Sequence, residues 1–257
     1  MPVLHLEQIV QAAVFAGVRI GGMFLFPPFF SSDAIPVPVK AALTVALTAL
    51  LYPVYGPLGL RTDALGWLRV AAGELIVGLL LGLSLQFVFE AALAAGQMIG
   101  VQTGYSLITV LDPQTQADTQ VLAIFHQLTA LLIFLRLDVH HWLLRGLAAS
   151  FIYLPPGTVT ASFKSSVGLL HEAGGIWLAT LQIAIPVILA TLLVDVALGF
   201  LGRASPQLPV MLVGLSVKNL IGLTALAGTL ALWPRMFDGE FARALAAGER
   251  LLHLAAA

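Results

Sequence analysis

The 257-residue chain contains no cysteine and very little charge. The missing thiols exclude a disulfide framework and any thiolate-bound metal. Lys, Arg, Asp and Glu together reach only 10% of the residues, where a water-soluble domain carries about a quarter. The net charge of −1 leaves no basic excess of the kind that binds nucleic acid. No serine sits in a G-x-S-x-G context, and no H-E-x-x-H pair occurs, so nucleophilic or metalloprotease chemistry has no local support. No internal repeat and no stretch composed like a soluble domain is visible. The first residues, MPVLHLEQIVQAAVFAGVR, lack a basic region ahead of their apolar run, and they read as a retained helix rather than a cleavable signal.

What is present is apolar. Hydrophobic residues make up 59% of the chain and the mean hydropathy is +0.98, so lipid or partner proteins must cover a surface that polar side chains cannot. Six apolar segments can be drawn: 9–30, 39–55, 67–95, 121–137, 176–201 and 208–233. The expected fold is an all-α polytopic membrane protein, with helical hairpins and broken helices. The second and fourth segments are short for a span, and the third is too long for a perpendicular one. Pro186 is expected to kink the fifth. Residues 234–257 alternate apolar and charged positions as an amphipathic tail, within a single domain covering 1–257. If all six segments cross, both termini share a side. Arg61, Lys164, Arg235, Arg243 and Arg250 then face Lys40 and Arg203, which places the termini in the cytoplasm.

Charges within such sequence are expensive, about 2.5–3.5 kcal/mol at a helix centre in lipid. Glu74, Asp195 and Lys218 should therefore face protein or water, most simply as ion pairs between helices. Asp195 and Arg203 share a helix face but stand about two turns apart, too far for contact. Asp138, His140, His141 and Arg145 form the densest polar group. Adjacent histidines on a helix point about 100° apart, so one metal is not expected to take both. The simpler reading makes Asp138 a helix cap.

The stretch from Gly96 to Gly157 interrupts the apolar halves. Gly96, Gly100 and Gly104 recur every four residues, and with Gly78 and Gly82 they suit close helix packing. Tyr105, Leu107, Ile108, Val110 and Leu111 lead to a break at Asp112-Pro113 and a polar run, Gln114 to Gln120. An apolar plug in a wide channel would look like this, and so would a buried re-entrant segment. Met98 beside the glycines is either a flexible seal or a gap-filler.

Several motifs come in an order that resembles one family. They are Glu74 to Gly78 with Gly82, AGQMIGVQTG ending at Gly104, Asp112-Pro113, and FLRLDVHHWLLRGLAASF from Phe134. LPPG from Leu154, IPVILATLLVDVALGFLGRASPQLPV from Ile185, and Lys218 with Gly222 follow. The set is similar to the FliR/SctT-type export-gate subunits of type III secretion systems, and the aspartate–histidine and R-x-S-P-Q elements look flagellar rather than virulence-type. The resemblance covers nearly the full chain.

This resemblance implies a core subunit of the flagellar export gate in the bacterial inner membrane, within the basal body. It implies no enzyme activity and no cofactor. It also implies a helical multi-subunit assembly with FliP-type and FliQ-type subunits, a FlhB-type subunit at the cytoplasmic side and a surrounding basal-body ring. Unfolded rod, hook and filament proteins would pass through its pore. The family's closed-pore plug would map onto Gly104, Tyr105, Ser106, Leu107, Ile108, Thr109, Val110, Leu111, Asp112 and Pro113, with Met98 as a gasket. Glu74, Asp138, Arg145, Asp195, Arg203 and Lys218 would be inter-helix or inter-subunit ion-pair groups. The competing readings are an injectisome gate subunit and a stand-alone ion-coupled transporter. An intramembrane hydrolase using Asp138 and His140 competes less well, because it leaves the ordered motifs unexplained.

Overall fold

The computed structural model describes residues 2–32, 35–56, 63–105, 121–156, 163–205, 207 and 210–256. Among these the chain is helical, with no strand. A backbone surrounded by lipid or apolar protein must satisfy its own hydrogen bonds, and runs of Ala, Leu and Val do so most readily as helix. The helices are α1 (Pro2–Phe24), α2 (Pro28–Ser31), α3 (Val37–Tyr55), α4 (Ala64–Thr103), α5 (Val121–Arg136), α6 (Val139–Tyr153), α7 (Phe163–Ala204), α8 (Val210–Thr229) and α9 (Trp233–Ala256), with a 3₁₀ turn Leu230–Leu232 before α9. Prolines open α2 and α3, where a missing N–H costs nothing.

Among the described residues, three stretches are long and apolar enough to cross a membrane, Ala64–Thr103, Ala173–Ala204 and Val213–Leu252, with mean hydropathies of 2.0, 2.4 and 1.5. A fourth is reached if α5 and α6, bent by 68° at their break, count as one. The helices differ from the drawn segments in instructive ways. α4 continues from the third segment through the glycine run to Thr103, so Gly96 and Gly100 are helical. α7 begins at Phe163 and continues through Pro186. The second segment yields only a short apolar helix, Val37–Tyr52, and polar Glu7, Gln8, Gln11 and Arg19 dilute α1.

The chain packs as two compact units. The first comprises residues 1–88, 134–174 and 241–257. Its core sets Phe15, Arg19, Ile20 and Met23 of α1 against Val77, Leu81 and Leu85 of α4. The spacing of three and four along α1 is that of one buried helix face. α1 and α4 touch backbone to backbone: a Cβ on Gly78 would overlap the carbonyl of Arg19, and one on Gly82 would lie 2.5 Å from the carbonyl of Met23. α6 adds Val139, Leu143, Leu147 and Phe151. The amphipathic end of α9 was expected to face the surface or a partner. Instead it packs Phe241, Ala247, Leu251 and Leu252 into this core and leaves Arg243, Glu249 and Arg250 outside.

The second unit comprises residues 89–133 and 175–240. Gly96 of α4 lies against Leu122 and Ala123 of α5, and Gly222 of α8 lies against Thr103 and Thr191. Thr180 of α7 donates to the carbonyl of Ala91 at 3.3 Å, a hydrogen bond between helices. Trp233, fully buried, stacks on His126 with ring centroids 4.7 Å apart. Outside this core, α7 and α8 present a largely apolar exterior that includes Trp177, Leu189, Leu193, Phe200, Leu220 and Leu223, all exposed.

The α1–α4 contact predicts opposite outcomes for two glycines. Gly78→Val should lower stability by about 1–3 kcal/mol, because the added methyls have nowhere to go. Gly146→Ala, with open space around its Cβ, should leave stability unchanged or slightly raised. Thermal unfolding midpoints of the two detergent-solubilised variants check this directly.

Candidate functional site

In a chain so poor in charge, the ionised groups mark the places under constraint. The first is in unit 1. The side chains of Arg19 on α1 and Glu74 on α4 are completely buried, with Arg19 Nε donating to Glu74 Oε2 at 2.6 Å. The guanidinium uses its other donors as well. Nη1 donates to Ser150 Oγ at 3.0 Å and Nη2 to the backbone carbonyl of Leu154 at 2.9 Å. The Ser150 hydroxyl donates its own hydrogen bond to the carbonyl of Leu147, so its oxygen is free to accept. The Phe151 ring covers the guanidinium at 4.3 Å. The Leu154 carbonyl stands just past the C-terminus of α6, where helix carbonyls lack intrahelical partners, and Arg19 supplies one. One side chain thereby ties α1, α4 and the end of α6. Arg19 is visible in the sequence as a charge in the first segment, but its partner is not. The only signal is that a cation in the first apolar segment and an anion in the third each need an opposite charge.

The second is in unit 2. Lys218 Nζ on α8 lies 2.7 Å from Asp195 Oδ2 on α7, and Gln102 Nε2 on α4 donates to the same oxygen at 3.2 Å. This cluster differs from the first in solvent access: the Asp195 side chain is 44% exposed and that of Lys218 18%. Gln102 is a further partner that sequence reasoning did not single out. Arg203 is exposed near the end of α7 and joins no ion pair among the described residues.

The remaining positions are less tightly bound. Asp138 occupies the cap position of α6 but does not cap it, since its backbone is left-handed at φ 55° and its side chain makes no capping hydrogen bond. Its carboxylate instead meets His141 at 3.2 Å. Arg145 is exposed on α6, and it lines an open cavity of about 400 Å³ with Trp142, Leu245 and Glu249. Met98 is half-buried in α4. Gly104 ends α4 at φ 89°, a conformation that side chains resist, and its N–H reaches back to the carbonyl of Val101 at 3.2 Å. Tyr105 follows in the turn, half-buried. Ser106, Leu107, Ile108, Thr109, Val110, Leu111, Asp112 and Pro113 lie outside the described residues.

The profile of the family described as Bacterial export proteins, family 1, matches residues 10–244. The chain belongs to that family. Members similar to it include the flagellar biosynthetic protein FliR of Pectobacterium carotovorum, 35% identical over 87% of this chain and 86% of the relative. The FliR of Escherichia coli K12 is 30% identical over 84% and 82% of the two chains. That of Bacillus subtilis 168 is 31% identical over 78% and 79%. This member of the export family is a membrane-located component of the flagellar export apparatus, and its family is one of export proteins rather than of enzymes.

The buried pair carries a direct prediction for the family member. Glu74→Ala should cost about 3–5 kcal/mol, because it strands a buried guanidinium. The double change Arg19→Met with Glu74→Leu should recover most of that loss. Thermal unfolding of the four species of this cycle reads the coupling, and a double variant as unstable as Glu74→Ala would show that the pair is not the reason.

Proposed function

We propose that the chain is a core subunit of the flagellar type III export gate in the inner membrane. There it forms, with FliP-type and FliQ-type subunits, the pore for unfolded rod, hook and filament proteins. A FlhB-type subunit contacts its cytoplasmic side and the basal-body ring surrounds the assembly. The observation that carries this reading is the uncovered apolar exterior of α7 and α8 in a member of the export family. A protein working alone in lipid would carry such a surface equally well, so it is membership in the export family that favours neighbouring subunits as the cover. Packing by similar helices from other chains covers both the leucines and the remaining lone pairs. The flagellar setting is favoured over the virulence one by the relatives, which carry flagellar names.

The gate itself we assign to residues 104–113. Gly104 supports this by ending α4 at φ 89°, a conformation that breaks the helix just ahead of the apolar run in the sequence. Met98, one and a half turns earlier, would seal around the plug. An apolar constriction of this kind excludes ions while remaining displaceable by a passing chain.

Tagged protein drawn from native membranes in mild detergent should bring down small polytopic export-apparatus subunits in a large particle with a central pore by negative-stain imaging. A lone monomer or homodimer would overturn the gate reading and leave an ion-coupled transporter using Glu74 and Asp195. The plug assignment is tested separately. Removal of residues 105–111 should raise ion conductance of the assembled particle in planar bilayers at least ten-fold, and unchanged conductance would place the seal elsewhere.

A further inference from the structure

The start of α6 holds chemistry that neither the ion pairs nor the gate uses. Asp138 Oδ1 lies 3.2 Å from His141 Nδ1 and 3.9 Å from His140 Nε2. The two imidazoles lie close to one another, with centroids 4.1 Å apart and planes 38° from parallel. A ligand atom from each of the three residues falls within 4.8 Å of the other two. In a regular helix adjacent side chains point about 100° apart. The structure brings them together for two reasons. They stand in the first turn of the helix, where side chains lean toward the N-terminus. Asp138, in its left-handed conformation, lies directly ahead of that turn with its carboxylate uncommitted to capping.

We infer that Asp138, His140 and His141 form a binding site for a divalent transition metal of the zinc class. Nitrogen and carboxylate ligands sit about 2.0–2.1 Å from zinc, so two of them on one tetrahedral ion stand about 3.3 Å apart. The Asp138–His141 separation already has that value, and the Asp138–His140 separation needs a shift of well under 1 Å by an exposed carboxylate. His140 supports the assignment independently. Its Nε2 is too far from Asp138 for a hydrogen bond, and its buried Nδ1 has no hydrogen-bond partner among the described residues. Among the described residues no hydrogen bond therefore holds the ring, which leaves Nε2 open to a metal. Two imidazoles with one carboxylate select zinc, nickel or copper(II) over calcium and magnesium, which prefer oxygen alone. Water or a group from a neighbouring molecule completes the coordination. A bound ion would clamp the first turn of α6 to the residue that breaks the chain between α5 and α6.

The test uses the full chain in detergent, purified on a tag without histidine and stripped by a chelator. Zinc competition against a chromophoric chelator should give one equivalent bound in the micromolar range or tighter. Cobalt should give visible bands of mixed nitrogen–oxygen coordination. Affinity should fall at least ten-fold in His140→Gln, His141→Gln and Asp138→Asn, each eluting as wild type on size exclusion, while His171→Gln and His253→Gln leave it unchanged. Absence of a stoichiometric site in the unsubstituted protein overturns the inference without recourse to any variant. Equal binding by a His140→Gln/His141→Gln protein overturns it as well.

Discussion

Everything in the first unit depends on one buried ion pair. A guanidinium sealed from water must be matched in charge and in hydrogen bonds, and Arg19 is matched in both. Glu74 gives the charge, and Ser150 and the end of α6 accept its remaining protons. The match works only if the helices come close. Gly78 and Gly82 allow this by letting the backbones of α1 and α4 meet with nothing between them. The pair and the glycines are thus one device: the small residues set the distance, and the charges penalise any departure from it. A well-packed apolar pair could hold the helices equally strongly. What the ionic version adds is discrimination, because a slipped register would leave a charge alone in a dry place.

The second unit follows a different logic. Its charged cluster reaches the surface, and its long helices expose leucine, valine and phenylalanine along most of their length. A chain of this kind is finished by its surroundings. In the first unit the buried Arg19–Glu74 pair is satisfied within the chain, whereas in the second unit the exterior of α7 and α8 belongs to whatever lies beside it. Membership in an export family makes neighbouring subunits the natural cover.

Helices were readable from the sequence because a lipid-compatible chain has few alternatives, and because proline and glycine punctuate it at Pro28, Pro36 and Gly104. Ends were harder. Nothing in the glycine run from Gly96 announces that it stays helical, since glycine marks close contact as readily as it marks a turn, and here it serves contact with Leu122 and Ala123. That Glu74 and Asp195 need partners was legible from cost alone. That the partners are Arg19 and Lys218 was not, because pairing is a property of how helices are arranged and not of any one of them. The amphipathic end of α9 shows the same limit. Its pattern says that one face is covered, but the pattern is identical whether the cover comes from another molecule or from Phe134 of its own chain, whose ring meets Phe241 at 5.6 Å. The closeness of the two histidine rings, 4.1 Å between centroids, was not legible either, because it arises at a helix start and not in a regular helix middle.

The distance in sequence between Arg19 and Glu74 has a consequence in time. Fifty-five residues separate them. Translation proceeds at about 5–20 residues per second, so the glutamate is made roughly 3 to 11 seconds after the arginine. Throughout that interval the first helix carries a cation without the anion that pairs with it in the fold. It cannot settle into an apolar environment on its own terms, and must wait near water or under the protection of the insertion machinery until α4 arrives. The order of synthesis therefore leaves α1 unsecured until α4 has been made.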